Sequence, residues 1–233
     1  ASAAVGSQLL LATYDGVFAL DGDRSRLVLD TPLGALSLLR SPAHPSRVFV
    51  GLQDGLGSIR LDADGHWVDE GRIDAVQDEV RTIVADGGGR LWLGTLGGDL
   101  IRLTLPAGWN GAHQGDAEAV VAERFGAGAG LPGGSNQVVK IDGEPRFTTA
   151  LGIYLFDPQS RRFVPDPAFA GLFPDGPRRI AALHQSGPDE IWIYSDTESG
   201  IKETGRAIRD GSTWRWQVTP LQPIAGIAMR VMA

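Results

Sequence analysis

Residues 80–100 read Val80-Arg-Thr-Ile-Val-Ala-Asp-Gly-Gly-Gly-Arg-Leu-Trp-Leu-Gly-Thr-Leu-Gly-Gly-Asp-Leu100. A β-branched run, a Gly-rich turn, a Leu-Trp-Leu run and a second Gly turn follow one another, which predicts consecutive antiparallel strands. The pattern recurs. Residues 9–21 (LLLATYDGVFALD), 47–62 (RVFVGLQDGLGSIRLD), 90–104 (RLWLGTLGGDLIRLT), 146–157 (RFTTALGIYLFD) and 190–203 (EIWIYSDTESGIKE) each predict a hairpin. Their turn glycines, Gly16, Gly55, Gly98, Gly152 and Gly200, stand 39, 43, 54 and 48 residues apart. That period fits a four-stranded propeller blade of roughly 40–50 residues.

Flanking runs complete the units. Apolar runs at 36–39, 80–85, 138–141 and 180–183 precede the second to fifth hairpins and are expected to be inner strands. More polar runs at 26–29, 66–69, 119–125, 162–164 and 214–218 follow the hairpins and are expected to be outer strands. The one helical candidate, 116–124, is short and rich in valine, so it is assigned to a strand with an inserted loop before it. Trp92 and Trp192 hold equivalent positions, where Phe49 and Phe147 stand in two other repeats. Such rings, placed between neighbouring blades, bury about 150–250 Å² each. A single four-stranded sheet cannot bury both of its faces, so its neighbours must cover it. The expected fold is all-β, a β-propeller of about five four-stranded blades, with residues 1–233 forming one propeller domain or a fragment of a larger propeller. The first repeat is expected to lack an inner strand, because only residues 1–6 precede its hairpin, while the apolar run 224–232 has no hairpin after it. In one reading that last run completes the first blade and closes a five-bladed ring. In the other, the chain is a piece of a larger ring.

The composition narrows the function classes. The chain has 233 residues, 42% of them apolar, and 32 glycines, far from the strict one-third glycine of collagen and too apolar for disorder. A formal charge of −7 with scattered basic residues argues against nucleic acid as a partner. Zero cysteines exclude disulfides, thiolate metal sites and cysteine nucleophiles. No run approaches the 18 or so apolar residues of a membrane helix, and the chain opens Ala-Ser-Ala-Ala without Met. It is therefore read as a processed or excised piece that meets a membrane only through flanking segments outside it.

Catalytic and cofactor motifs are weak. Gly128-x-Gly130-x-x-Gly133 matches a dinucleotide pattern, but Pro132 and the lack of a following helix remove the helix N-terminus that holds pyrophosphate, so it is read as a linker. Gly97-Gly98-Asp99 is read as a hairpin turn. Asp21-Gly-Asp23 and Asp62-Ala-Asp64-Gly65 carry the oxygen ligands calcium takes, yet no bidentate acid at loop spacing completes either. His44, His66, His113 and His184 fall in different repeats with no pair at zinc-ligand spacing. No Gly-x-Ser-x-Gly elbow is present, and the acidic pairs Asp69/Glu70 and Asp189/Glu190 point to opposite strand faces. No catalytic residue, cofactor or metal site is assigned.

In a propeller, the second-to-third-strand turns and the links into the next inner strand gather on one face round the axis. Here the turns carry Tyr14, Asp15, Gln53, Asp54, Asp99, Asp196 and Thr197, and the links carry Asp78, Asn136, Gln137, Arg178 and Arg179. Tyr14, Asp15, Gln53, Asp54, Asp99, Asn136, Arg178, Arg179 and Asp196 are the candidate ligand-binding set. Their carboxylates, amides, phenol and guanidinium groups suit a polar, hydroxyl-rich or amine-bearing ligand.

The stretch at 80–100, with its Leu-Trp-Leu-Gly-Thr strand and Gly-Gly-Asp-Leu turn, resembles the two-component regulator propeller repeat. So do the Gly-Leu-Pro linker at 130–132 with the strand up to Gly143, and the hairpin Phe147-Thr-Thr-Ala-Leu-Gly-Ile-Tyr-Leu-Phe-Asp-Pro158. Pro42-Ala-His-Pro-Ser-Arg-Val-Phe-Val-Gly51 is equally similar to strands of sialidase-like repeat propellers. The first resemblance covers most of the chain in outline and about a third of it closely. It implies the periplasmic sensor part of a membrane-bound histidine kinase or diguanylate cyclase, usually in a ring of more than five blades. It also implies a small polar ligand or a protein partner, room for a dimer in the full-length protein, and no catalytic residues in this part. The expected function is thus a non-enzymatic sensing module. The alternative, from the second likeness and the acidic turns, is a carbohydrate-directed hydrolase or lectin-like propeller, and a plain scaffold is the third option.

Overall fold

Alternating apolar residues between short turns leave the chain no period but that of the strand, and strands are what form. The computed structural model describes residues 1–111, 120–197 and 199–218. Five four-stranded antiparallel sheets run in chain order. The first holds β1 (Ser2–Val5), β2 (Gln8–Thr13), β3 (Gly16–Asp21) and β4 (Arg24–Asp30); the second holds β5 (Ala35–Arg40), β6 (Arg47–Leu52), β7 (Gly55–Leu61) and β8 (Trp67–Arg72). The third holds β9 (Val80–Ala85), β10 (Leu91–Thr95), β11 (Leu100–Thr104) and β12 (Val121–Phe125). The fourth holds β13 (Gln137–Ile141), β14 (Glu144–Thr149), β15 (Gly152–Asp157) and β16 (Arg162–Pro165). The fifth holds β17 (Arg179–Gly187), β18 (Glu190–Asp196), β19 (Lys202–Asp210) and β20 (Thr213–Val218). All five turn glycines named from the repeat take positive φ, between 81° at Gly200 and 143° at Gly55, which side chains resist and glycine does not.

One expectation is overturned. The first sheet has its own first strand: Ser2–Val5 pairs antiparallel with β2 through the register Ser2↔Leu11, Ala3↔Leu10, Ala4↔Leu9 and Val5↔Gln8. Gly6, at φ 60°, lets the chain reverse within two residues, and the Ala12 N–H donates to the Ala1 carbonyl at 2.9 Å. Six residues before the hairpin were enough, because the strand needs only four. The run 224–232, the start of the 116–124 segment and His113 lie outside the described residues.

Contacts divide the chain into two compact units, Ala1–Arg124 and Phe125–Ala233. In the first unit the middle sheet shows why the blades need one another. The six residues of β6 are all buried, and the two-residue period sends them to different cores. Val48, Val50 and Leu52 join Val5, Leu10 and Val17 of the first sheet, whereas Phe49 joins Ile83, Leu91 and Leu93 of the third. Burying each such side chain contributes about 1.5–3 kcal/mol. Close approach is built in at Gly51, where a Cβ would lie 2.2 Å from Ser37 Oγ and 2.6 Å from the Val80 carbonyl oxygen.

In the second unit the connection from the fourth to the fifth sheet is itself part of the core. A short 3-10 turn, Pro167–Phe169, is capped by Asp166, whose side chain accepts from the Ala168 N–H at 2.9 Å. Phe169 then stacks on Trp214 at 5.6 Å and packs with Ile141, Ile153, Ile180, Ile191 and Ile193. Of the four equivalent aromatic positions, Phe49, Trp92 and Phe147 are buried. Trp192 is only partly buried, with its indole N–H donating to Glu190 and the Arg206 guanidinium 5.7 Å from its ring.

Candidate functional site

Second-to-third-strand turns and inter-sheet links lie at the same end of each antiparallel sheet, and in the first unit they interlock. Gly34, in the link from the first sheet to the second, sits so close to Tyr14 that a Cβ would meet its Cα at 3.1 Å. The Gly34 carbonyl accepts from the Gln53 N–H at 3.3 Å, tying that link to the next turn. Gly55, in the same turn, would place a Cβ 2.7 Å from the Val76 carbonyl oxygen in the following link. The Leu96 N–H then donates to the Glu79 carbonyl at 3.1 Å. β-Bulges at the ends of the β5/β6 and β9/β10 pairs re-aim the chain at this rim.

On this base Tyr14, Asp15, Asp54 and Asp99 are exposed and Gln53 is half-buried. Asp15 belongs to a tight turn in which its N–H donates to Thr13 Oγ1 at 3.2 Å. The Asp99 carbonyl accepts from both the Thr95 N–H (3.2 Å) and the Thr95 hydroxyl (2.8 Å), so Gly97-Gly98-Asp99 is the hairpin turn expected of it. Asp54 is paired with Arg72 at 2.7 Å. Asp78 is paired with Arg124 at 2.7 Å, and this bond, with Asp78 and Asp99 nearby, raises the guanidinium above its ordinary value.

In the second unit the candidates sort differently. Asn136 is buried and its amide donates to the Pro132 and Gly134 carbonyls, so it shapes its own link. Arg178 is buried too, bridged to Glu203 and, at 3.7 Å, to Asp175, with its guanidinium 4.7 Å from the Phe173 ring. Burial lowers its pKa. Arg179 and Asp196, directly opposite in the β17/β18 register, form an ion pair at 2.6 Å at the exposed rim. The structure therefore brings Arg179 to Asp196, links Tyr14 to Gln53 through Gly34, and leaves Asp54 and Arg178 engaged with Arg72 and Glu203.

The other motifs serve turns. Asp62 Oδ1 accepts from the Asp64 and His66 N–H groups at 3.0 and 2.7 Å, and these bonds draw its pKa down. Gly130 takes φ 90° and a Cβ there would lie 2.6 Å from the Phe163 carbonyl oxygen; the next element is strand β13, not a helix. His44 sits in the β5–β6 turn and His184 in β17. Among the described residues no group of three His, Cys, Asp or Glu side chains is placed to hold a metal, and no helix is long and apolar enough to cross a membrane.

Two features escaped the sequence reading. One is a set of exposed apolar residues at the turns and links, Leu33 and Leu96 in the first unit and Leu151 and Ile201 in the second. They stand at turn and link positions, where an apolar residue beside a Gly has the same local pattern as a strand end. The other lies at the opposite end of the first unit. There Glu70 accepts from Arg47 Nε (2.6 Å) and Nη2 (2.8 Å), Ser58 Oγ (2.9 Å) and Arg60 Nε (3.0 Å), and the Arg47 guanidinium lies 4.7 Å from the centroid of the Trp109 ring. A cleft of about 220 Å³ opens beside it, lined by Pro42, His44, Phe49, Leu91, Leu105 and Trp109 among others.

No family model matches the chain, and no curated protein matches it. Solved structures do. One, described as the extracellular domain of a hybrid two component system from B. thetaiotaomicron, superimposes with TM-score 0.64 at 15% identity over 94% of this chain. This chain covers 27% of that one. The β-propeller domain of Cps50 (Swd1) from Myceliophteria thermophila gives 0.55 at 14% identity, covering 92% of this chain and 70% of that one. The WD40 domain of Toxoplasma gondii coronin gives 0.50 at 12%, covering 91% and 55%. Five four-stranded antiparallel sheets with these likenesses make the fold a β-propeller fold.

Proposed function

We propose that this chain is a binding module of an extracytoplasmic sensor. A small polar ligand or a protein partner occupies the turn-and-link end of its sheets and biases the arrangement of domains outside the chain. The observation that carries this reading is the interlock of turns and links in the first unit. Backbone hydrogen bonds and glycine contacts hold that end in place, so Tyr14, Asp15, Asp54 and Asp99 stand on a preorganised base rather than on loose loops. A fold does not establish a function. Support for sensing comes from the repeat likeness at 80–100 and from the likeness to the extracellular domain of a hybrid two component system.

The test is a panel of glycans, amino acids and amines, read at once by thermal shift and by product analysis. A binder present at about a hundred times its Kd stabilises by about 2.7 kcal/mol, which is roughly 5–10 °C for a chain of this size. The expected result is such a shift for one ligand class, reduced by Asp15→Asn or Asp54→Asn, with the ligand recovered intact. Turnover that disappears on substituting Asp54 or Asp99 would replace the sensor by a hydrolase. No shift with any compound would leave a scaffold.

A further inference from the structure

Second-to-third-strand turns call for Gly, Asp or Asn, and their backbone geometry gives no role to a large apolar side chain. Yet in the first unit Tyr14 is 69% exposed, Leu96 is 52% exposed, and Leu33, in the link beside Gly34, is 52% exposed. The contacts that run from Tyr14 through Gly34, Gln53, Gly55 and Val76 to Glu79 and Leu96 put all three at the same end of adjoining sheets. Exposed apolar side chains carried at one end of neighbouring sheets are available to cover apolar groups of a partner.

The charge there is one-sided. The turn and link segments 14–15, 31–34, 53–54, 73–79 and 96–99 contain Asp15, Asp54, Asp74, Asp78, Glu79 and Asp99 and no Lys or Arg. Arginines at the adjoining strand ends reach three of them: Arg72 to Asp54, Arg124 to Asp78 and Arg81 to Glu79, each at 2.7 Å. Asp15, Asp74 and Asp99 stand exposed outside these pairs. Such a surface repels anionic lipid, nucleic acid and carboxylate ligands and draws cations toward it. Guanidinium and ammonium groups would meet the carboxylates, while apolar contact would cover the rings and methyls.

We propose that this end of the first unit docks a basic polypeptide segment. Its Lys or Arg side chains pair with Asp15, Asp74 and Asp99, and its apolar side chains cover Tyr14, Leu33 and Leu96. This names the partner class for the binding role proposed above and rests on that role.

The probes are three short fluorescein-labelled peptides, one of alternating Lys and Leu, one of alternating Lys and Ser, and one of alternating Glu and Leu. Binding to the full 233-residue chain is followed by anisotropy at low and at physiological ionic strength. The Lys/Leu peptide is expected to bind saturably, the Lys/Ser peptide about tenfold more weakly, and the Glu/Leu peptide not at all. The pair Tyr14→Ser with Leu96→Ser should weaken the Lys/Leu peptide about tenfold, and Asp15→Asn with Asp99→Asn should remove most of its salt dependence. Leu151→Ser with Ile201→Ser, in the second unit, should leave it unchanged. These sites are exposed, so unaltered melting of each variant confirms that the fold is kept. Equal binding by the Tyr14/Leu96 pair, equal binding of the Glu/Leu peptide, or no binding overturns the proposal. A small polar ligand that still shifts melting through Asp15 or Asp54 while the peptides fail would keep the sensing role and remove this partner class. Failure of both removes both.

Discussion

At position 70 a carboxylate lies almost out of reach of water, its side chain 4% exposed. Burial pushes the Glu70 carboxyl up, but hydrogen bonds from Arg47, Ser58 and Arg60 outweigh it and hold its pKa below the ordinary value of 4.5. A depressed folded pKa means stability that is complete above the unfolded value and lost as pH falls through the folded one. Glu70→Gln removes that dependence and leaves the Arg47 guanidinium buried without its counter-charge, a loss of about 3–5 kcal/mol. Calorimetry should find a lower Tm near neutral pH and a shallower decline on acidification than in the parent chain. A parallel decline in both would remove Glu70 from the acid response. Gly51→Ala is a second residue-scale test, since the new methyl would press on Ser37 Oγ and the Val80 carbonyl. Overpacking there should cost about 1–3 kcal/mol, read as a lower denaturant midpoint, and an unchanged midpoint would refute so close an approach of β6 to β9. Neither effect was legible beforehand: Arg47 and Glu70 are 23 residues apart and each looks like a surface charge.

Among elements, β1 is the informative case. Only residues 1–6 precede the first hairpin, yet Ser2–Val5 pairs with β2 and Val5 joins the core of Leu10 and Val17. Deleting residues 1–6 should expose the β2 edge and that core, lowering Tm and raising the binding of a hydrophobic dye. Unchanged melting would hand the position to some other segment. The loop after β11 makes a comparable contribution. Its Trp109 stacks on Phe49 at 5.8 Å and lies 4.7 Å from the Arg47 guanidinium, so it roofs the buried charge cluster. Trp109→Ala should cost about 3–5 kcal/mol in chemical denaturation, and Trp109→Phe should recover part of it. A Trp109→Ala cost within a few tenths would mean that the ring is not the roof. The hairpins and most flanking strands were readable in advance, because a two-residue alternation between Gly turns has only one regular solution. What a loop's aromatic ring covers has no such local signature.

For the whole molecule, the formal charge of −7 and the acid-rich turns predict no retention of DNA in a gel-shift assay and no flotation with anionic vesicles at physiological salt. Binding to either would contradict the partner class argued from the first unit. The spacing of Gly16, Gly55, Gly98, Gly152 and Gly200 was sufficient to announce five repeated units, because each turn demands a positive φ that glycine alone supplies cheaply. It also placed Tyr14, Asp15, Gln53, Asp54 and Asp99 at one end of their sheets, since antiparallel topology leaves no other place for those turns. Only tertiary contact decided which charges were already engaged, as with Asp54 on Arg72 and Arg178 on Glu203, and which apolar residues, Leu33 and Leu96, stayed in solvent. The reason is range. Turn conformation and strand alternation are settled within a few neighbouring residues, whereas burial and ion pairing depend on what another strand, tens of residues away, brings alongside.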